Sequence, residues 1–349
     1  MQSVLARLEG QLELERQQRK LPGMSTAVIY DQGIVWSHGF GLANVEEGTP
    51  ATAQTLYGVG SITKLFTDTM LMQLRDAGKL QLDEPVQRYL PAFQVPSPYH
   101  NAPLPTFRQI ASHTGGLPRE APGNYWRTRQ FPTLDQLLVS LQNTEMIGVP
   151  GAVYNYSNLG VAVMGNALAA VAGEPYRQYV GDNILQPLGM ENSGFELTDE
   201  VKARLANGYA FPSSSIGANR FPDAGAFTPA GGLYSSVEDM ARFISLQFRD
   251  EPAGGDQVLS GSSLREMRQA ASKGSNVGPF AIGWQLSSNS GYSTIGHPGV
   301  VFGFTTQIVL LPELKLGVAV FTNGRTDPES LSNEILAALI PAIKRALQP

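Results

Sequence analysis

Ser61 and Lys64 form the only Ser-x-x-Lys sequence in this chain of 349 residues. The spacing of apolar residues predicts a helix over residues 61–77, closed by Gly78 just after its C-cap. Residues three apart share one helix face, so the Lys64 amine lies one turn from the Ser61 hydroxyl. Burial and the helix dipole disfavour an ammonium there, and a neutral amine can accept the proton of a serine nucleophile. The alternative is a Ser61 that caps the helix and a solvated Lys64.

Tyr156 and Asn158 stand in a polar stretch, residues 151–160, directly before an apolar helical segment. Because a nearby positive charge lowers the pKa of a phenol, we expect a Tyr156 phenolate beside Lys64. It would act as general base to the serine and later as acid to the leaving group. Asn158 would hold the Lys64 amine or a substrate carbonyl. Tyr154 is the rival for the tyrosine role, and packing in the wall of a core is the other interpretation.

The segment Gly296–Val300 reads Gly-His-Pro-Gly-Val and lies between two predicted strands. It predicts a turn at a strand edge, where a backbone N–H can face a substrate oxygen. The two donors would be the N–H groups of Ser61 and Val300, which stabilise the charge that develops on that oxygen in acyl transfer. His297 and Gly299 complete this candidate substrate-binding segment.

Composition excludes several classes of protein. The chain has no cysteine, so disulfides, thiolate metal sites and a cysteine nucleophile are absent. No two of its four histidines are spaced i, i+4, which removes a histidine-pair metal site on one helix. A net charge of −5 without a basic cluster argues against nucleic acid as a partner. No apolar run is long enough to span a membrane. We expect no metal, no cofactor and a cytoplasmic location, or a periplasmic or secreted one if a signal peptide was removed.

Strand patterns occur at both ends of the chain, with helical patterns between them. The termini are therefore expected to meet in one sheet, giving a discontinuous sheet domain, residues 1–60 and 276–349, beside a mostly helical domain, residues 61–275. The active site would lie in the cleft between the two. The predicted strands cover residues 25–30, 33–36, 291–297, 303–311 and 315–322. The predicted helices include the opening segment up to about residue 20 and residues 133–142, 158–172, 236–249, 261–271 and 327–347.

The chain resembles the serine β-lactamase and penicillin-binding-protein-like superfamily, because its three candidate elements follow one another in the same order as the motifs of that superfamily. These elements are Ser61–Lys64, Tyr156–Asn158 and Gly296–Val300. The resemblance covers about residues 20–325 and is nearest to the class C-like branch, family VIII carboxylesterases in particular. It includes further segments typical of that branch, at residues 39–44, 82–91, 112–117, 187–190 and 230–239. The resemblance implies an α+β sandwich in which an antiparallel sheet is flanked by the terminal helices. It also implies a Ser61 nucleophile, Lys64 as its basic partner, and Tyr156 and Asn158 as the family's Tyr-x-Asn element.

The sequence departs from the β-lactamase pattern at His297 and Pro298, which stand where the family has Lys-Thr. Proline has no side-chain donor, and histidine is mostly neutral at pH 7. Both changes weaken a site for a substrate carboxylate. We therefore expect a carboxylesterase acting on short acyl esters through an acyl-Ser61 intermediate, with a small-molecule ester or amide as the only partner implied.

Three alternatives stay open. The first is a peptidase or amidase acting on D-amino-acid peptides, with or without weak β-lactamase activity, and the second is a non-catalytic penicillin-binding-like sensor. The third is a Ser-His-Asp hydrolase, which lacks support because the chain contains no Gly-x-Ser-x-Gly. Near the site, His113 is expected to be structural, bonded to the backbone. Tyr125 and Trp126 either roof the acyl pocket or pack at the surface.

Overall fold

The computed structural model of the chain describes residues 2–211, 214–215, 222–249, 258–275 and 278–347. Its α-helices are α1 Gln2–Gln18, α2 Thr63–Asp76, α3 Phe107–Ala111, α4 Tyr125–Thr128, α5 Leu134–Ser140, α6 Asn158–Ala172, α7 Tyr176–Val180, α8 Asp199–Arg204, α9 Thr228–Gly231, α10 Val237–Leu246, α11 Gly261–Met267 and α12 Pro328–Leu347. Its strands are β1 Gly23–Tyr30, β2 Gly33–Asn44, β3 Thr49–Pro50, β4 Tyr57–Gly58, β5 Tyr209–Phe211, β6 Ser214–Ser215, β7 Tyr234–Ser235, β8 Ser272–Ser275, β9 Gly278–Phe280, β10 Gln285–Asn289, β11 Tyr292–Val301, β12 Phe304–Leu311 and β13 Leu316–Thr322.

Strands from both ends of the chain form one antiparallel sheet. Within the described ranges it has nine strands, in the order β3-β2-β1-β13-β12-β11-β10-β9-β8. The N-terminal hairpin joins the C-terminal strands where β1 pairs with β13, with Ala27 opposite Ala319. The predicted meeting of the termini in one sheet and the predicted α+β fold are therefore confirmed.

The two faces of the sheet bury different helices because side chains alternate along each strand. On β13, Val318 and Val320 belong to the apolar core shared with the terminal helices α1 and α12. Ala319 and Phe321 face the opposite core, which includes α2, α6 and α10. This second core supports the elements that carry the candidate active site. None of the helices in the described part of the chain is long and apolar enough to cross a membrane.

Two strand predictions need correction. The strand predicted over residues 33–36 is longer than expected and continues to Asn44. Gly39 is required inside the strand, because a Cβ there would lie 2.2 Å from the Ala51 carbonyl oxygen. Likewise, β11 runs through Gly296–Val300 instead of turning, and the chain reverses after Val301. The predicted domain boundary stays a prediction, since residue 276 lies outside the described residues.

Candidate active site

Ser61 and Lys64 lie where a short 3₁₀ turn, Gly60–Ile62, leads into α2. The Lys64 Nζ donates hydrogen bonds to the Ser61 Oγ at 3.0 Å and to the Ala230 carbonyl oxygen at 2.6 Å. Lys64 is only 1% exposed. The spacing of three therefore brings the amine and the hydroxyl together, although Ser61 precedes the α-helix instead of opening it.

Burial lowers the pKa of Lys64 to about 7. The Arg119 charge acts in the same direction, whereas the Glu120 and Asp68 carboxylates raise the Lys64 pKa. An amine with this pKa is uncharged in a large fraction of molecules at neutral pH. Lys64 can then accept a proton from the Ser61 hydroxyl to which it is bonded.

Asp68 lies one helical turn beyond Lys64 on α2 and is buried. Burial raises its pKa well above the ordinary value of an aspartate, and the Lys64 charge acts in the opposite direction. Its Oδ1 has no hydrogen-bond partner among the described residues. A Cβ on Gly283 would lie 2.3 Å from Oδ2, so the carboxyl is enclosed behind the lysine. Asp68 was not predicted as a site residue from the sequence.

Tyr156 is the tyrosine that the structure brings to Ser61 and Lys64. The Lys64 Nζ lies 5.0 Å from the centre of the Tyr156 ring. Burial raises the pKa of Tyr156 above its ordinary value, and the weaker interaction with the Ser61 hydroxyl lowers it. The expected phenolate is therefore wrong for the free protein, because burial outweighs the Ser61 hydrogen bond and the Arg119 charge, which lower the pKa. Tyr156 is a neutral phenol at neutral pH, able to donate a proton.

Tyr154 lies in the same cleft but packs in another direction. Its ring contacts those of His113 and Phe280, at centroid distances of 5.9 and 5.6 Å. Burial raises the pKa of Tyr154 to about 12. It therefore forms part of the aromatic wall, and Tyr156 holds the position next to the serine.

The second candidate oxyanion donor, Val300, lies on a free stretch of β11. Strand β10 pairs with β11 only as far as Gly296, so within the described residues the rest of β11 forms an edge on this side. This edge packs against the turn that carries Ser61. A Cβ on Gly60 would lie 2.9 Å from the Val300 nitrogen, and Gly60 has a φ of +53°, which favours glycine. The Val300 nitrogen is therefore next to the residue that precedes Ser61.

His297 is buried in the cleft wall and is neutral. Burial, with a smaller contribution from the Lys64 charge, lowers the pKa of His297 to about 3. Its Nδ1 lies 2.7 Å from the Pro298 carbonyl oxygen, which can only accept, so Nδ1 carries the hydrogen. Neither His297 nor Pro298 offers a charge to a bound carboxylate.

His113 supports the site through the backbone. Its Nδ1 accepts a hydrogen bond of 3.2 Å from the Ser157 N–H, and its ring lies 4.2 Å from that of Tyr156. Burial lowers the pKa of His113 well below its ordinary value. The prediction of a structural histidine bonded to the backbone is confirmed, and the bond holds the segment that carries Tyr156.

Asn158 begins α6, and its side chain is oriented by Glu120. The Asn158 Nδ2 donates to the Glu120 Oε1 at 2.6 Å. The Glu120 Oε2 accepts from Trp126 Nε1 at 2.8 Å and from the Tyr125 hydroxyl at 3.0 Å. The expected contact between Asn158 and the Lys64 amine is replaced by the bond from Lys64 to Ala230, which leaves a substrate carbonyl as the expected partner of Asn158.

Ser61, Tyr154, Tyr156, Asn158 and His297 line one cleft of about 540 Å³, whereas Lys64, Asp68 and His113 are buried next to these residues and do not line it. Arg119, Glu120 and Phe280 were not predicted as site residues, although the first two lie two and three residues after the segment of residues 112–117. Trp126 lines the cleft, whereas Tyr125 is buried behind it. The lining residues are Gly60, Ser61, Arg119, Glu120, Trp126, Tyr154, Tyr156, Asn158, Ala230, Gly231, Phe280, Gln285, His297, Pro298, Val300 and Val301.

The sheet with its flanking helices and this cleft define a protein of the β-lactamase/transpeptidase-like superfamily. The chain belongs to the Beta-lactamase family, which it matches over residues 8–341. Membership in this family is consistent with a serine hydrolase.

Individual relatives are similar over most of the chain. A curated relative, "Beta-lactamase-like protein 2" of Dictyostelium discoideum, is 32% identical over 84% of this chain and 54% of its own length. The chain thus spans about half the length of that relative. The octameric penicillin-binding protein homologue from Pyrococcus abyssi is 28% identical, with a TM-score of 0.85 over 97% of this chain and 77% of that one. A β-lactamase/D-alanine carboxypeptidase from Yersinia pestis is 27% identical, with a TM-score of 0.79 over 93% of both chains.

Proposed function

We propose that this protein is a serine carboxylesterase that cleaves short-chain acyl esters through a covalent acyl-Ser61 intermediate. The observation that carries the proposal is the bond between the Ser61 hydroxyl and a buried Lys64 amine whose pKa lies near neutrality. A serine attacks a carbonyl only when a nearby base takes its proton, and the uncharged Lys64 is placed to do so.

The proposed reaction has two steps. As Lys64 takes the proton, directly or through the Tyr156 hydroxyl, the Ser61 Oγ bonds to the carbonyl carbon of the ester. The N–H groups of Ser61 and Val300 stabilise the resulting oxyanion. Tyr156 donates a proton to the leaving oxygen and recovers one from the Lys64 ammonium, the bond from carbon to that oxygen breaks, and the alcohol departs. Water then attacks the acyl-enzyme by the same proton path and releases the acid and free Ser61. This cycle requires no cofactor and no metal.

The ester specificity is supported by His297 and Pro298. A neutral histidine and a proline stand on β11 where the resemblance implies Lys-Thr, so this strand lacks the donors that hold a carboxylate in β-lactamases. Short esters need only the oxyanion site and an apolar wall, here Tyr154, Phe280 and Trp126. The replacement of Lys-Thr by His297 and Pro298 supports a relationship to the family VIII carboxylesterases.

A D-amino-acid peptidase or amidase, with or without weak β-lactamase activity, is the second candidate. It is supported by the likeness to the Yersinia pestis β-lactamase/D-alanine carboxypeptidase. The non-catalytic sensor is less favoured, because the Ser61, Lys64 and Tyr156 side chains stand together in the cleft.

The deciding experiment combines a substrate screen with labelling. Hydrolysis is measured on 4-nitrophenyl acetate and butyrate, a D-alanyl 4-nitroanilide and a chromogenic cephalosporin, and a fluorophosphonate adduct is located by mass spectrometry. We expect the esters to be the best substrates and the adduct to lie on Ser61. Ser61→Ala should abolish turnover with nearly unchanged thermal unfolding, whereas Ser288→Ala, at an exposed position of β10, should retain it. An adduct on another serine would refute the mechanism.

A further inference from the structure

Arg119 is an arginine of the cleft wall whose backbone is fixed. Its carbonyl oxygen accepts hydrogen bonds from the N–H groups of Asn158 at 2.9 Å and Leu159 at 3.1 Å, at the start of α6. Its guanidinium carbon lies 5.0 Å from the centre of the Tyr156 ring. A cation at this distance from an aromatic ring is held by a favourable cation–π interaction. The guanidinium is thus held beside the proposed proton donor.

The donors of this guanidinium are open to a ligand. The side chain of Arg119 is 65% exposed, and its nearest approach to the Glu120 carboxylate is 3.8 Å, longer than a hydrogen bond. Both oxygens of Glu120 are already engaged, Oε1 by Asn158 and Oε2 by Tyr125 and Trp126. Within the described part of the chain, no acceptor forms a hydrogen bond with the Arg119 side chain.

The other basic residues at the site, and Pro298 beside them, cannot replace it as an anion site. Lys64 is buried and donates to Ser61 and Ala230. His297 is neutral, and Pro298 carries no donor. An acidic group on a substrate would therefore find its charged partner at Arg119.

We propose that Arg119 determines specificity by binding a carboxylate on the leaving-group side of the substrate. This inference rests on the proposed esterase function and names its substrate class, esters whose alcohol part carries an acid. The side is set by Tyr156: this phenol would protonate the leaving oxygen, and Arg119 lies against its ring. A guanidinium binds a carboxylate through two parallel hydrogen bonds, which lysine cannot reproduce.

The test compares two matched esters, 3-acetoxybenzoate and its neutral methyl ester, in the unmodified protein and in Arg119→Gln. Both have the same acyl group and similar phenol leaving groups, so the ratio of their kcat/KM values isolates the carboxylate. The Arg119 charge also lowers the pKa of Lys64, but a change in that pKa affects both esters equally and cancels in the ratio.

We expect the unmodified protein to prefer the acidic ester. Arg119→Gln should lower that preference about ten- to a hundredfold, the scale of a charge-assisted hydrogen bond, mainly through KM. Arg119→Lys should restore part of it, and Arg127→Gln, which removes a charge outside the cleft lining, should leave the ratio unchanged. A ratio that Arg119→Gln does not alter would overturn the inference while leaving the esterase proposal intact.

Binding of the product provides a readout that needs no turnover. Calorimetry should show that 3-hydroxybenzoate binds the unmodified protein at least tenfold more tightly than Arg119→Gln does, with no such difference for the neutral methyl 3-hydroxybenzoate. If no ester is hydrolysed but this difference is found, the esterase function fails and the anion site at Arg119 stands. Equal binding of 3-hydroxybenzoate to both proteins would reject the site.

Discussion

Gly299 lies so close to Val59 that a Cβ on Gly299 would be 2.0 Å from the Val59 carbonyl oxygen. The same oxygen accepts a hydrogen bond of 3.0 Å from the Thr306 Oγ1 on the neighbouring strand. These contacts press the free edge of β11 against the turn that carries Ser61. The distance between the two proposed oxyanion donors, Ser61 and Val300, therefore depends on the absence of a side chain at residue 299.

Gly299→Ala should separate β11 from the Ser61 turn, because a backbone oxygen 2.0 Å away cannot be avoided by a rotamer change. We expect kcat on a short ester to fall about 10²–10³-fold, the scale for loss of one oxyanion donor. Steady-state kinetics give the change, and thermal unfolding shows whether the variant is folded. Gly10→Ala, where nothing lies within 4 Å, is the matched control and should keep full activity. A folded Gly299→Ala with the original kcat would contradict the assignment of Val300.

Tyr156→Phe removes one oxygen next to Ser61 and should lower kcat about 10²–10⁴-fold, the usual scale for loss of a proton-transfer group. Tyr154→Phe is the matched control, since Tyr154 packs in the aromatic wall and should affect mainly KM. Both variants are measured with 4-nitrophenyl acetate. The opposite pattern, a damaging Tyr154→Phe and a harmless Tyr156→Phe, would assign the proton transfer to Tyr154.

The activity should depend on the protonation of Lys64. Below its pKa of about 7, Lys64 is an ammonium with no lone pair for the Ser61 proton, so kcat/KM on a neutral ester should rise with pH through about 7. The pH profile of kcat/KM reports this pKa in the free protein. A profile that is flat between pH 5 and pH 9 would argue against Lys64 as the base.

Asp68→Asn tests whether the buried Asp68 carboxyl influences the pKa of Lys64. An ionised Asp68 raises the pKa of Lys64, and although burial raises the pKa of Asp68, the Lys64 charge favours its ionised form, so Asp68→Asn should shift the rising limb of the profile to lower pH. Asp182→Asn, at an exposed position far along the chain, is the control and should leave the limb in place. A shift to higher pH in Asp68→Asn would contradict the electrostatic role assigned to Asp68.

Pro298→Thr introduces a hydroxyl donor on the exposed edge of β11, at the position where the resemblance implies threonine. We expect the unmodified protein to have a higher kcat/KM for 4-nitrophenyl acetate than for a chromogenic cephalosporin. The substitution should narrow this gap about ten- to a hundredfold, the scale of one charge-assisted hydrogen bond. Comparable efficiency on both substrates before substitution would instead favour the β-lactam or D-peptide alternative.

Much of the fold and part of the site could be predicted from the sequence because those features depend on local spacing. A separation of three residues brings Ser61, in the 3₁₀ turn, and Lys64, in α2, together as it would within one α-helix. Strand patterns at both chain ends indicated the strands that meet where β1 pairs with β13. The structural role of His113 followed from its position beside the site.

Only the tertiary structure decided how these groups behave. Burial lowers the pKa of Lys64 to about 7, keeps the Tyr156 hydroxyl protonated and keeps His297 uncharged. This burial results from packing between elements that are far apart in the sequence. The packing of the segment before α6 decides which tyrosine lies next to Ser61. Tyr156 lies beside Lys64, whereas Tyr154 packs against His113 and Phe280. The strand at Gly296–Val300 was mistaken for a turn because glycine and proline indicate turns locally, whereas here glycine permits close backbone contact and proline lies on a free edge. No local sequence pattern indicates Arg119 as a binding residue. Its guanidinium is available to a ligand because the side chains of Asn158, Tyr125 and Trp126 donate to the Glu120 carboxylate.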